Sequence, residues 1–530
     1  MESYDYIVIG AGSAGCVVTT RLIEAGKSVL LLEAGPRDNS PWIHIPATVF
    51  KVYTTQRVWQ FKTEPEAGAG GRQMGMMQGR TLGGGSSVNG MVYIRGQAED
   101  YDGWRDRGCP GWGWDDVLPV FRRSENNQKF SNAYHGADGP LMVADARFRH
   151  PVSYAFLRAA QESGYPYTDD FNGEKQAGVG FYQTTTFGGR RQSAPVTFLS
   201  RVRKSPLLTL RTDAQVEGIV LENGAAVGVR FRSGKDNSVS EARVREEVVL
   251  SAGAFGSPKM LQLSGIGPGD VLSAHGIPVM RELPGVGQNF QDHYTTPVQA
   301  LTRDPIGLMG QDRGLKAVGH GLQWLMFRTG LLTSNVMEAG GFFDTDGDGR
   351  PDVQFHVAAA VTADVGQPMP QVHGLTFSIC ILRPQSRGSV NIRSGNAADT
   401  VKVVANALDN DADVQGLVRG LKIGRRIMSA PSLRKIVERE LKPGNLGEEL
   451  SDEALVAHAR ATAKTVFHPC GTCRMGSDDG AVVDPHLRVR GVPRLRVADA
   501  SIMPNLVSGN TNAPAIMIGE RCADFLLGQR

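Results

Sequence analysis

Long apolar runs are missing from this chain: no stretch approaches the 18 or so uninterrupted apolar residues that a membrane span needs. The opening segment, MESYDYIVIG, runs straight into a β-branched strand pattern, without the charged and then apolar regions of a secretory signal. Cysteine is scarce, with six in 530 residues. That is too few for a disulfide framework and fits a reducing compartment. Charge of one sign is lacking as well: 57 basic against 54 acidic residues leave a net charge of +3. Neither a nucleic-acid footprint nor a charged tail follows from that balance. The expectation is a soluble, cytoplasmic protein without nucleic-acid partners, with peripheral contact at the inner membrane left open. Internal repeats and low-complexity linkers are absent too.

What the chain has in plenty is glycine, 65 residues in clusters, the mark of tight turns and close backbone approach to a ligand. The first cluster follows a strand: YDYIVIGAGSAG carries Gly10, Gly12 and Gly15 in the G-x-G-x-x-G spacing. An amphipathic stretch runs from Cys16 to Ala25, stops at Gly26, and leads into a buried strand, SVLLLEAG, ending on Glu33. In this βαβ order Gly10 permits the turn, Gly12 admits a pyrophosphate and Gly15 lets helix and strand pack. Ser13 and Ala14 open the helix, whose free N–H groups face the phosphates, and Glu33, followed by Ala34, accepts from ribose hydroxyls. The motif alone is weak; the ordered context makes it a dinucleotide site. Neither GIGPGD (265–270) nor GVGQNF (285–290) completes a second such motif. If the single nucleotide is FAD, reducing equivalents come directly from a substrate.

FHPCGTCRMG (467–476) admits three chemistries: zinc binding, a redox dithiol, or a lone histidine base. P-C-x-x-C is half of a zinc-deaminase signature, but none of the 11 histidines has the glutamate two places on. No second C-x-x-C or H-x-x-x-H completes four ligands. Cys470 and Cys473 therefore read as small buried thiols, and no metal is expected. DTDGDGRPD (344–352) has acids at calcium-loop positions one, three and five, but Phe355 stands where the bidentate acid belongs. An acidic hairpin turn is the plainer reading.

GRTLGGGSSVNGMVYIRG (79–96), GAFGSPKMLQLSGIG (253–267), PGVGQNFQDH (284–293), His468 and RVADASIMPNLVSGNTNAP (496–514) stand in family order. With them, the sequence resembles the glucose–methanol–choline (GMC) oxidoreductases from residue 4 to about 527, and within them the choline dehydrogenase-like, FAD-dependent alcohol dehydrogenases. The resemblance implies an α/β fold: a Rossmann-like FAD domain (1–150, 193–298, 466–530) interleaved with an α+β substrate domain on an antiparallel sheet (151–192, 299–465). Further cofactor contacts are implied at Arg80, Gly83, Gly84, Ser87, Asn89, Gly90, Val92, Val216, Ala252, Gly253, Asp499, Ala500, Asn510 and Thr511. Glycines 83–85 leave room for N–H groups and the Ser86 and Ser87 hydroxyls to approach the flavin. Val88 stands where members with covalent FAD carry histidine, so non-covalent FAD is expected. Ser257-Pro258 reads as the cap and first residue of a helix beside the cofactor.

The implied reaction oxidises an alcohol to an aldehyde or ketone. His468, taken at its ordinary pKa of about 6.5, receives the hydroxyl proton, Asn512 pairs with it and holds the alcohol oxygen, and hydride passes to flavin N5. Asn335, Glu338, Gln354 and His356 are candidate pocket residues. The stretch 317–335 reads as an amphipathic helix or lid admitting a hydrophobic or extended alcohol. Lacking an obvious carboxylate and aromatic cage, choline itself is not favoured. A quinone or dye-like acceptor is expected, with O2 and an oxidase as the alternative. A flavin-bound electron-transfer or structural protein is the reading from another class, and the protein is expected as a monomer or homodimer.

Overall fold

Strand Glu2–Ile9, buried at its C-terminal half, lies at the centre of a parallel array because its neighbours are equally apolar. The computed structural model describes residues 2–234, 236–363 and 367–529. Val29–Leu32 flanks Glu2–Ile9 on one side and Val239–Leu250 on the other, all parallel; Leu208–Arg211 and Leu495–Val497 extend the array at either side. Two antiparallel strands, Ala225–Ser233 and Ala214–Glu222, finish the sheet as a meander. Helix Ser13–Glu24 follows the first strand and ends where Gly26 takes a φ of +79°. The glycine turn before it is obligatory. A Cβ on Gly15 would lie 2.0 Å from the Gly10 carbonyl oxygen, and one on Gly10 would lie 2.4 Å from that of Ser251.

A second sheet is antiparallel throughout, in the order Val437–Lys442, Tyr294–Thr302, Gly374–Ile381, Val353–Ala358, Ala339–Phe343, Gly178–Phe181. Side chains alternate across it. Val353, Phe355 and Val357 face a core shared with helix Asp411–Ser429, while His356 and Ala358 face a cavity on the other side. The helix can lie close because Gly420 has no Cβ, which would meet Ile379 Cγ2 at 2.5 Å. One apolar core holds residues from 6 to 143, 194 to 286 and 470 to 522; a second is built mainly from 152 to 181 and 290 to 463. The acidic stretch 344–352 is the turn between the strands Ala339–Phe343 and Val353–Ala358. Asp344 accepts there from the N–H groups of Gly347 and Gly349.

One helix starts earlier than the sequence predicts. Gly253–Leu263 is N-capped at Ala252, so Ser257 and Pro258 lie inside it. Pro258 cannot donate to the Ala254 carbonyl four residues back. The Thr472 hydroxyl donates to that carbonyl instead, at 2.7 Å. This tertiary bond makes an interior proline tolerable, and no local rule could have supplied it.

Candidate active site

A cavity of about 1660 Å³ runs between the two sheets, from the glycine turn at Gly10 and Gly12 to His468. At its first end no side chain caps helix Ser13–Glu24, and Ser13 and Ala14 line the space. Glu33 lines it too; its carboxylate accepts from the N–H groups of Ala11 (3.1 Å) and Gly35 (2.8 Å). Burial, outweighing those bonds, pushes its pKa up to about 7. Open N–H groups beside a buried acid match the pyrophosphate and ribose of a dinucleotide. Ala34, Gly84, Asn89, Gly90, Val92, Val216, Ala252, Gly253, Asp499, Ala500, Asn510 and Thr511 line the same cavity. The donor set and the depth of the space fit FAD.

Several expected contacts lie elsewhere. Gly15 is packing, as its clash with Gly10 shows. The Ser87 hydroxyl donates to the Leu82 carbonyl and that of Ser86 to Gly83, both at 2.7 Å, so these serines close their own turn rather than face a ligand. Gly83 N–H donates at 2.7 Å to the carbonyl of Ala11, tying this turn to the glycine turn at Gly10 and Gly12. The Arg80 guanidinium lies 4.7 Å over the Trp59 ring, near enough to Glu33 to favour its carboxylate. Asp499 borders the cavity, but its carboxylate caps helix Gly253–Leu263, accepting from Gly253 N–H (2.9 Å) and the Ser257 hydroxyl (2.6 Å).

The largest correction concerns the asparagines. Asn510 Nδ2 lies 3.3 Å from His468 Nε2, whereas Asn512 Oδ1 accepts from the Ser13 hydroxyl at 2.8 Å. Asn512 begins the terminal helix Asn512–Leu526. It therefore joins two helix N-termini at the dinucleotide end, while Asn510, two residues earlier in the loop, reaches the histidine. Spacing in an irregular loop carries no fixed direction, so the sequence could not separate them.

His468 is half-buried at the cavity wall, and its desolvation there, with smaller contributions from His293 and His356, holds its pKa well below the ordinary 6.5. It is neutral more firmly than the sequence predicts. Its ring is gripped from behind: His293 Nδ1 lies 2.9 Å from His468 Nδ1, and His293 Nε2 lies 3.0 Å from the Leu382 carbonyl oxygen. Burial also pushes His293 down to about 4, so it is uncharged. A carbonyl oxygen only accepts, so His293 carries its proton on Nε2 and presents a lone pair at Nδ1. His468 must then donate from Nδ1, which leaves its Nε2 lone pair toward Asn510 and the cavity. Asp292, next in line, accepts from His468 N–H at 2.9 Å and from the Thr465 hydroxyl. These bonds hold Phe467 at a φ of +67°, a conformation non-glycine residues rarely adopt.

Of the expected substrate residues, His356 lines the cavity. Gln354 stands behind it, donating to Asn510 Oδ1 at 3.2 Å. Asn335 ties its loop to the Gly90 carbonyl (3.0 Å), and Glu338 accepts from the hydroxyls of Ser153 (2.7 Å) and Ser334. Those three are supports rather than lining. Sequence reading assigned no role to Asp292, His293 or Arg191. Arg191, 1% exposed, donates to Asn89 Oδ1 (2.7 Å) and to the Asn89 carbonyl (2.8 Å), and burial lowers its pKa to about 10. The quoted QDH of 291–293 was the one available signal, and a motif does not say which way its side chains point.

All six cysteines are free and buried, and burial raises the thiols of Cys470 and Cys473. They pack in the first core. Among the described residues, the one cluster of three potential metal ligands is Asp344, Asp346 and Asp348, exposed on its turn and outside the cavity.

The family model of the GMC oxidoreductases matches residues 4–295 with its N-terminal part and 384–519 with its C-terminal part. The chain is 42% identical to the alcohol dehydrogenase [acceptor] of Pseudomonas putida over 532 residues, covering 99% of this chain and 96% of that protein. It is 41% identical to mitochondrial choline dehydrogenase of Homo sapiens over 540 residues, 100% of this chain and 90% of that one. The crystal structure of pyridoxine 4-oxidase from Mesorbium loti superposes with a TM-score of 0.90 at 30% identity, covering 99% of this chain and 100% of that one. Matched along its length in sequence and in fold, the chain belongs to the GMC oxidoreductase family.

Proposed function

We propose that the protein oxidises an alcohol to the aldehyde or ketone, with His468 as the base, non-covalent FAD in the cavity and a quinone or dye-like final acceptor. The observation that carries the reading is the orientation of His468: a neutral imidazole, held at Nδ1 by His293, with the Nε2 lone pair beside Asn510 Nδ2. An alcohol hydroxyl entering between them donates to Nε2 while Asn510 donates to its oxygen. Proton transfer leaves His468 cationic, still bonded through Nδ1–H to His293. Gln354 keeps the Asn510 amide turned the right way. Bound FAD supplies the two-electron acceptor that takes the hydride from the alcohol carbon. The sheets exclude water around the proton transfer, which strengthens each of these bonds.

The substrate favoured is an uncharged alcohol: primary and aliphatic, polyether or polyol-like. The sheet face lining the cavity presents Thr295, His356, Ala358 and Ser378, none of them a carboxylate. Without an acid there, a quaternary ammonium finds no counter-charge. Acting with an acceptor other than O2 is supported by the likeness to the alcohol dehydrogenase [acceptor], and a peripheral place at a membrane accords with a lipid-dissolved quinone. Likeness to pyridoxine 4-oxidase favours the second reading, an oxidase yielding hydrogen peroxide. An anaerobic panel of aliphatic, aromatic, polyether, polyol and choline alcohols tests both. Bleaching of the flavin identifies the class, and reoxidation by O2 against quinone separates oxidase from dehydrogenase. Flavin left unbleached by every member defeats the proposal.

A further inference from the structure

Helix Gly314–Phe327 buries none of its residues. Leu315 is 90% exposed, Leu322 51%, Leu325 62%, Met326 63% and Phe327 64%. Large apolar side chains facing outward along a whole helix are far from the scattered exposure usual on a protein surface. Nor is the helix loosely held. Trp324 Nε1 donates to the Gly189 carbonyl at 2.8 Å, the Arg328 guanidinium covers the Trp324 ring at 3.8 Å, and His320 Nε2 lies 3.1 Å from Gln311 Oε1. Its inner side is fixed by polar and ring contacts, and its outer side is left apolar.

The patch rings the mouth of the cavity. Trp324 and Leu325 line that cavity together with the exposed Trp42, Phe50 and Met369 from other segments. Cations frame the apolar surface: Lys51, Arg190, Arg313 and Lys316 are all exposed. Across 311–329 the only acid is Asp312, and it pairs with Arg313 at 3.7 Å.

We propose that this face docks on a lipid bilayer bearing anionic phospholipid, the apolar side chains entering the boundary below the headgroups and the cations meeting the phosphates. The mouth of the cavity then opens onto the membrane, where a lipophilic alcohol or quinone is already concentrated. A second copy of the chain fits less well, because a two-fold contact sets this patch against itself, and its exposed Lys51, Arg190, Arg313 and Lys316 meet an equally cationic surface. Docking does not depend on the alcohol chemistry; only what passes through the mouth rests on the proposed function.

The test is flotation of the flavin-loaded protein with vesicles of phosphatidylcholine, with and without phosphatidylglycerol. The expected result is co-flotation with the mixed vesicles, weakened by high salt. Leu315→Glu/Leu322→Glu/Met326→Glu lowers the bound fraction by about tenfold or more. Turnover of a short alcohol with a soluble dye stays unchanged, since none of the three lines the cavity. Arg313→Glu/Lys316→Glu weakens binding to the anionic vesicles more than to the neutral ones. Far-UV circular dichroism and bound flavin confirm that the variants fold. Unmodified protein staying in the aqueous fraction with both vesicles overturns the proposal. So does a triple variant that floats undiminished, or a solution dimer of the unmodified chain that the triple variant makes monomeric. Flotation without any alcohol bleaching the flavin leaves docking standing and defeats the alcohol reading alone.

Discussion

His293 and His468 face each other through their Nδ1 atoms at 2.9 Å, and with the Leu382 carbonyl behind them the pair has a single consistent tautomer. The proposed base is therefore oriented by a residue that does not itself line the cavity. Replacing His468 by alanine is expected to lower kcat by about 10²–10⁴-fold while flavin stays bound. Near-normal turnover would refute the assignment. His293→Leu keeps the lone pair's owner but frees its ring, and a loss of roughly 10- to 1000-fold in kcat is expected, with KM little changed. An equal loss in KM would point to a structural role instead.

Asn510 and Asn512 are expected to fail differently. Asn510→Ala removes the donor beside His468 Nε2 and lowers kcat, leaving flavin content intact. Asn512→Ala breaks the link to Ser13 and loosens the cofactor, read as flavin released on dilution or gel filtration. The reverse pattern would restore the original sequence-based pairing.

The pH profile follows from burial. His468 accepts a proton only when neutral, and its pKa lies well below 6.5. The expectation is a kcat/KM that stays level above about pH 6.5 and falls only in more acid solution. An acid limb at or above neutrality contradicts the geometry. At His293 stability shares the direction: its pKa is pushed down to about 4 in the folded state, below its unfolded value, so that site binds fewer protons folded than unfolded between pH 4 and 6.5. The His293 contribution to stability should decline as pH is lowered through that window, read as a fall in urea midpoint that His293→Leu does not share, while Glu33, raised to about 7, acts in the opposite direction in both proteins.

Thr472→Val leaves the Ala254 carbonyl without a partner in the turn above Pro258. A buried unsatisfied carbonyl costs about 1–3 kcal/mol. The variant should melt lower, and Thr472→Ser should restore most of the loss. Equal melting of all three proteins would show that the proline is tolerated for another reason.

Val88 packs with Ile43, Val49 and Val58 and offers no nucleophile at the cavity wall. Acid precipitation should therefore leave the flavin in the supernatant. Flavin recovered with the pellet would show a covalent bond formed elsewhere.

The βαβ start was legible because its parts are contiguous: strand, glycine turn, helix and acid lie within 33 residues, and local geometry orders them. The start of the terminal helix Asn512–Leu526 is equally local, since Pro514 suits a first helical turn. The start of helix Gly253–Leu263 was not, because proline was read by its local preference while Thr472, more than 200 positions away, supplies the missing bond. Ser86 and Ser87 misled for a related reason. A hydroxyl in a glycine-rich turn suits a ligand or its own backbone equally, and only the fold shows that Gly83 and Leu82 receive them.

By itself the sequence determined the family and the dinucleotide turn, and it pointed to His468 rather than the neighbouring cysteines as the proposed base. Each of these rests on residue type and near-neighbour spacing. Tertiary structure alone decided that Asn510 rather than Asn512 meets His468, that His293 sets its tautomer, and that Gln354, Asn335 and Glu338 support the site instead of lining it. Those are matters of direction across chain separations of 42 and 175 residues. Direction at such range comes from the packing of two sheets, and no short stretch of sequence encodes it.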